Sequence, residues 1–378
     1  MKHDPKIMKI ASVGFTALLM AVLVLNILLP DRTFSPQENR ILQQLPPVSL
    51  LQYMEGRMET KLDKYANDQF PLRDQFIRLN TAADVTLGKC ISNGVIRCRD
   101  HYLMETVSAP KNTVLRKTES SIARFRKQYP RLHMYFLLAP NAANILQDKL
   151  PMTVRVHDQN QDMDRFFREM KKIGVTPVDT RQTLRQESRK QQVYYRTDHH
   201  WTTQGAYAAY RYARKPLKLR SEVKYKPYIV KNDFTGTLYS KSGFTGGRYD
   251  NITLYLPSSK TKPSVISYAD TKQKTTEFYQ LNNLKKKDAY TVFGGSNHPL
   301  YTVKTPVRSR RRLLLIKDSY ANSFLPFLTQ DFREIVVVDP RYYFGNVKDL
   351  IRNEGVTDVL FLYNDNTFMT DESLSLML

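Results

Sequence analysis

Two short segments of the 378-residue sequence carry residue types that can act together on an ester. The first is Thr197-Asp198-His199-His200-Trp201-Thr202, which holds two of the seven histidines and is followed by Gly205. Asp198 and His200 are one residue apart, so in an extended or turning backbone both side chains reach the same side, and the carboxylate can accept from an imidazole N–H. The second is Leu313-Leu314-Leu315-Ile316-Lys317-Asp318-Ser319-Tyr320, running on into Ala321-Asn322-Ser323-Phe324. A serine hydroxyl is a weak nucleophile until a base removes its proton, and an imidazole does so best when an acid fixes its tautomer. Ser319, His200 and Asp198 supply those three types. General-base help of this kind is worth on the order of 10²–10⁴-fold in rate, and an oxyanion donor about 10²–10³-fold.

Alone, each segment says little. An Asp-Ser at a strand end is more often a helix N-cap, and an isolated Asp-x-His is usually a structural hydrogen bond or part of a metal site. Asp198, His199 and His200 as metal ligands is the weaker reading, because adjacent histidines on a strand rarely converge on one ion and no further ligand cluster is evident. No metal and no cofactor are expected.

The elements that must position these residues read as α/β. Short apolar runs at Leu132–Leu138, Val175–Val178, Leu313–Ile316, Ile335–Asp339 and Val359–Tyr363 look like buried strands. Leu115, Ile122, Phe125 and Tyr129 recur at helical spacing, as do Met163, Phe166, Phe167, Met170 and Ile173. The alternation predicts a mostly parallel sheet with helices on both faces, and such sheets place reactive groups beyond the carboxyl ends of their strands. A helical stretch interrupted at Phe70-Pro71 and a hairpin over Gly88–Glu105 precede this part, and tyrosine- and threonine-rich sequence from about 224 to 307 reads as a β-rich insertion.

Ile10–Leu29 is apolar apart from Ser12, Thr16 and Asn26, with Lys2, Lys6 and Lys9 before it. Twenty helical residues rise roughly 30 Å, the thickness of a bilayer core, and the lysines favour a cytoplasmic N-terminus. A cleaved signal peptide is the competing reading, but Leu28-Leu29-Pro30-Asp31 lacks a small-x-small pattern. The expected order is therefore a cytoplasmic 1–9, an anchor at 10–29, a stalk at 30–50 and an extracytoplasmic domain over 51–378. A net charge of +22 would suggest nucleic acid on an intracellular chain; outside the membrane the anionic partners are lipid headgroups and acidic envelope polymers. The charge is spread along the sequence, which favours a generally solvated surface. Composition, 41% hydrophobic and 25% charged, excludes a mainly disordered chain. The two cysteines, Cys90 and Cys98, flank Asn93-Gly94, a type I′ turn signal, and either staple a hairpin or remain two thiols.

At these residues the sequence resembles the DHHW family of Gram-positive bacterial envelope proteins, named for the motif Asp198-His199-His200-Trp201. The similarity covers most of the chain after the apolar run, including Glu38-Asn39-Arg40, Gln69-Phe70-Pro71-Leu72-Arg73-Asp74, the hairpin, Lys317-Asp318-Ser319-Tyr320 and Asp339-Pro340-Arg341-Tyr342-Tyr343. That family is similar in turn to the SGNH-hydrolase-like proteins of alginate O-acetylation, in which an Asp-x-His pair precedes the serine. The motif order therefore looks circularly permuted relative to ordinary SGNH hydrolases. The resemblance implies an SGNH-hydrolase-like, flavodoxin-like fold with Ser319 as nucleophile, His200 as base and Asp198 as its orienting partner, and with His199, Trp201 and Arg341 as accessory residues. Lys317 stands where ordinary SGNH hydrolases have glycine, which puts the oxyanion donors in doubt: the backbone N–H of Tyr320 is the candidate first donor, and Asn141, Asn297 and Asn364 are candidates for the second. The implied function is O-acetyl transfer to an envelope or secreted polysaccharide, with acetyl groups delivered by a multipass membrane acyltransferase. Acetyl-ester hydrolysis of the same polymers and a non-catalytic polysaccharide-binding scaffold are the alternatives.

Overall fold

The N-terminal apolar run forms one helix, α1 (Pro5–Leu28). Within it Met8–Leu28 has a mean hydropathy of 2.3, long and apolar enough to cross a membrane, which fits a single-pass anchor. The computed structural model describes residues 5–35, 40–47, 53–54, 57–107, 109–244, 247–259 and 262–378. Glu38-Asn39 of the family-like motif and the expected domain start at residue 51 lie outside the described residues. The chain divides into two units, Met1–Lys89 with Ser240–Thr245, and Cys90–Tyr239 with Gly246–Leu378.

In the first unit, helices α2 (Arg57–Asp68) and α3 (Arg73–Thr86) flank the break expected at Phe70-Pro71. Gln69 at that break bonds the backbone of Arg32 and Gln43 through its amide, and Asp68 accepts from the Gln43 N–H at 2.8 Å. The described part of the segment expected to be a plain stalk is thus tied down, with Leu42 buried beside it.

The second unit opens with the expected hairpin, Ile91–Ser92 against Val95–Arg97, with Asn93 and Gly94 both at positive φ as a type I′ turn requires. The staple between Cys90 and Cys98 is not formed. Register explains why. The Arg97 N–H donates to the Cys90 carbonyl, so Cys90 lies opposite Arg97 and Cys98 falls one residue further on, pointing to the other, buried face. Burial pushes the Cys98 thiol up to about 12.

The unit is built on an eight-stranded sheet. In chain order its strands are β1 (His133–Ala139), β2 (Thr176–Val178), β3 (Val265–Tyr268), β4 (Lys274–Thr275), β5 (Leu300–Lys304), β6 (Arg312–Lys317), β7 (Glu334–Val338) and β8 (Asp358–Asn364). Their spatial order is β4-β3-β5-β7-β6-β8-β1-β2, with the last five parallel and the first three antiparallel. Alternate residues of the central strands enter different cores. Leu313 and Leu315 of β6 face Leu184 of α6 (Arg181–Ser188) and Ala206, Ala209 and Tyr210 of α7 (Thr203–Ala213). Leu314 and Ile316 face Leu115, Ile122 and Phe125 of α4 (Asn112–Gln128), Phe166 of α5 (Gln159–Lys172) and Ile351 of α8 (Val347–Asn353). A strand buried on both faces favours apolar residues at successive positions, which is why the central parts of these runs are continuous and not alternating. Each such side chain contributes about 1.5–3 kcal/mol of burial.

The expected insertion at about 224–307 divides in two. Tyr225–Phe234 and Asp250–Pro257 pair with each other as a separate antiparallel ribbon. Its later strands, β3, β4 and β5, extend the central sheet, because Tyr301 and Val303 alternate into the core beside β7.

Candidate active site

Ser319 lies just beyond the carboxyl end of β6, in a single 3₁₀ turn over Ser319–Ser323. The preceding Asp318 caps that turn: its Oδ1 accepts from the Tyr320 N–H at 2.9 Å, while its Oδ2 accepts from the Asn364 N–H of β8 at 2.8 Å. One buried carboxylate therefore locks the serine turn to the neighbouring strand, and burial raises its pKa from the ordinary range.

The Asp-x-His segment enters from the loop before α7. Tyr194 and Trp201 bridge across this loop, and Asp250 holds it from inside by accepting from the Arg196 and Thr197 N–H groups, the Thr197 hydroxyl and the Gln192 amide. Trp201 is fully buried, and its indole N–H donates to the Tyr320 carbonyl and Ser323 Oγ, both at 3.0 Å. The Tyr320 hydroxyl donates back to the His199 carbonyl. Two segments 119 residues apart are thus pinned to each other.

Ser319 Oγ lies 2.8 Å from His200 Nε2, and His200 Nδ1 lies 2.6 Å from Asp198 Oδ1. Asp198 accepts further from the His200 N–H at 3.0 Å and from the N–H and hydroxyl of Thr237 at 2.8 and 3.0 Å. Gly236 makes that seat possible: a Cβ there would stand 2.3 Å from the Asp198 Cβ. Burial alone would raise the Asp198 pKa, but the charges of His199 and His200 and these hydrogen bonds outweigh it and hold the carboxyl well below its usual range. An ionised carboxylate only accepts, so Nδ1 carries the imidazole proton and Nε2 is bare toward the serine hydroxyl. Burial first, then the neighbouring His199, press the His200 pKa down to about 4, leaving it neutral at pH 7. Hydroxyl, bare imidazole nitrogen and carboxylate in line can withdraw the serine proton as an electrophile is attacked.

The other expected residues fall in different places. His199 lies against His200 with the rings tilted and their centroids 3.9 Å apart, and bonds Thr237 Oγ1 through Nδ1. Arg341 grips the buried Asp339 with Nε and a terminal nitrogen at 2.8 and 2.6 Å, near enough for its charge to press His200 further down. Lys317, fully buried, lies 3.6 Å from the same carboxylate and donates to Asn322 at 2.9 Å. The lysine at the glycine position is thus a buried ion-pair member.

Three of the oxyanion expectations need correction. The Tyr320 N–H is occupied by Asp318. Asn364 caps the following turn through Oδ1 and donates to the Ala139 carbonyl. Asn297 is an exposed loop residue. Asn141 differs: it is buried after the carboxyl end of β1, and neither its Nδ2 nor its Oδ1 meets a hydrogen-bond partner.

Sequence reasoning missed Thr237, Asp250 and Tyr290, all from the insertion. Tyr290 stacks flat on His200, centroids 3.7 Å apart, and its hydroxyl donates to the Ser319 carbonyl at 3.1 Å. No local pattern marks Thr237 or Asp250, and Tyr290 is one of 23 tyrosines. Asp198, His199 and His200 also offer ligand atoms within 4.8 Å of one another, but the imidazole nitrogens of His200 are both engaged by Asp198 and Ser319.

Residues 102–244 match the family model of the SGNH hydrolase-like domain of the acetyltransferase AlgX. The fold is SGNH hydrolase-like. The matched segment contains Asp198-His199-His200-Trp201 and stops short of Ser319. Among solved structures, a DHHW family protein from Eubacterium siraeum is similar at 23% identity and a TM-score of 0.63, over 76% of this chain and 95% of that one. Bacillus cereus PatB1 is similar at 22% identity and a TM-score of 0.60, over 72% and 97%. Its form with a sulfonyl adduct gives 20% identity and the same score, over 74% and 97%. At these identities the likeness is one of fold, and it agrees with the resemblance read from the sequence. No curated protein matches the sequence.

Proposed function

We propose that this chain is an extracytoplasmic acyl-ester enzyme held at the membrane by α1, and that it transfers O-acetyl groups to a polysaccharide of the envelope or a secreted one. The observation that carries the reading is the line of contacts from Ser319 Oγ through His200 to Asp198, at 2.8 and 2.6 Å. The match to an acetyltransferase's domain supports acetyl as the group carried.

In the proposed cycle Ser319 Oγ attacks the acetyl carbonyl of a donor ester while its proton passes to His200 Nε2. The donor's C–O bond breaks, its oxygen takes that proton, and acetyl-Ser319 remains. A sugar hydroxyl then gives its proton to His200 and attacks; the Ser319–acetyl bond breaks and the proton returns to Ser319. Asp198 stabilises the imidazolium in both halves. Asn141, whose amide lacks a partner, is the proposed side-chain donor to the oxyanion. The acetyl donor would come from a multipass membrane acyltransferase.

Replacing Ser319 by alanine is expected to abolish ester turnover by the purified protein; full retention overturns the mechanism. Deleting the gene separates the two closest readings. Loss of polymer acetylation supports the transferase, and a gain supports an acetylesterase, in which water replaces the sugar hydroxyl.

A further inference from the structure

The amino end of the sheet carries a feature that the proposed chemistry does not use. A cleft of about 680 Å³ lies where β1, β6 and β7 begin, within the roughly 300–1,000 Å³ range of ligand pockets. Its walls hold Lys218, Arg220, Arg308, Arg310 and Arg311 against a single carboxylate, Asp331. These residues come from two parts of the chain about 90 positions apart, so the fold concentrates a charge that looks evenly spread in the sequence.

The cations do not share one role. Arg311 is committed to the fold: it pairs with Asp358 at 2.5 Å and lies over the Phe332 ring at 4.6 Å. Asp331 is committed too, its Oδ1 accepting from the Arg220 and Ser221 N–H groups at 2.7 Å each, which fixes the turn that presents Arg220. Lys218, Arg220, Arg308 and Arg310 are exposed, and none forms an ion pair among the described residues. Four cations gathered around a recess with one carboxylate, which is itself engaged by backbone N–H groups, repel one another, a cost that an anion relieves. Guanidinium groups favour oxyanions able to take two parallel hydrogen bonds, as phosphate and carboxylate do.

We propose that this cleft binds a strand of an anionic glycopolymer through Lys218, Arg220, Arg308 and Arg310. A strand suits a recess whose cations stand on separate chain segments. The cleft lies at the opposite end of β6 from Ser319, roughly 20 Å away at the rise of a six-residue strand, so it acts as a tether and not as a subsite for the reacting ester.

The test uses full-length protein in neutral detergent, with fluorescent polyphosphate and fluorescent polygalacturonate as probes of the two oxyanion types. The double variant Arg308→Gln/Arg310→Gln is expected to weaken binding of at least one polymer about tenfold or more, and about 0.5 M salt to remove it. Hydrolysis of p-nitrophenyl acetate by the same variant should stay within about twofold of the parent, since the two sites are separate. Unchanged polymer affinity in the variant overturns the proposal. So does binding to phosphatidylglycerol vesicles, but to neither polymer, that is lost with the same substitutions, which would make the cleft a lipid-binding face.

Discussion

The two ends of β6 handle charge in opposite ways. At its carboxyl end Lys317 and Asp318 are buried and fully engaged, Lys317 with Asp339 and Asn322, Asp318 with two backbone N–H groups. At its amino end Arg308 and Arg310 stand in solvent with no ion-pair partner among the described residues. An unmatched buried charge costs several kcal/mol of stability, and once matched it holds neighbouring atoms in fixed positions. An exposed, unmatched charge does no such work on the fold and stays available to a ligand. The contrast assigns positioning and chemistry to one end and recognition to the other.

Breaking the carboxyl end should have the largest effects. Ser319→Ala and His200→Ala are each expected to lower kcat/KM for a small acetyl ester by on the order of 10³-fold or more, with circular dichroism unchanged. Asp198→Asn should cost about 10²–10⁴-fold, because an amide can no longer fix Nδ1–H or balance the imidazolium. Asn141→Ala should lower kcat by about 10²-fold with little change in KM, as loss of an oxyanion donor does.

The same end predicts a stability effect without chemistry. Asp339→Ala removes the counter-charge of a fully buried Lys317 and of Arg341, and chemical denaturation should show a loss of about 3–5 kcal/mol. A comparable change at Arg308 should move stability by less than about 0.5 kcal/mol.

The pH dependence sharpens the comparison further. His200 acts as base only when neutral, and its pKa is pressed from 6.5 to about 4, so the acid limb of kcat/KM should fall well below pH 6.5 and toward 4. The unfolded chain protonates this histidine first as pH drops, so its burial contributes stability that is present above pH 6.5 and lost on acidification toward 4. An acid limb at the ordinary histidine value would mean that the imidazole is solvated in the working enzyme.

What could be read from sequence follows the range of the forces involved. The four inner parallel strands β1, β6, β7 and β8 were legible because burial on both faces writes continuous apolar runs such as Leu313–Ile316, and the serine and Asp-x-His segments were legible because each keeps its chemistry in adjacent residues. The braces were not. Tyr290 stacking on His200, Asp250 holding the loop and Thr237 capping Asp198 are contacts across 39 to 90 positions whose residue types are common everywhere in the chain. The Tyr320 N–H was misread for a related reason: Asp318 can cap its own turn, and only the geometry reveals that it does. The merging of β3–β5 with the main sheet likewise depended on a partner, β7, that no local pattern names.

The account rests on Ser319 being a hydroxyl made reactive by His200. Intact-mass and peptide mapping after treatment with a sulfonyl fluoride measures this directly. One adduct on Ser319, absent from the His200→Ala protein, is the predicted result; no adduct, or one on Ser319 that forms equally fast without His200, would contradict it.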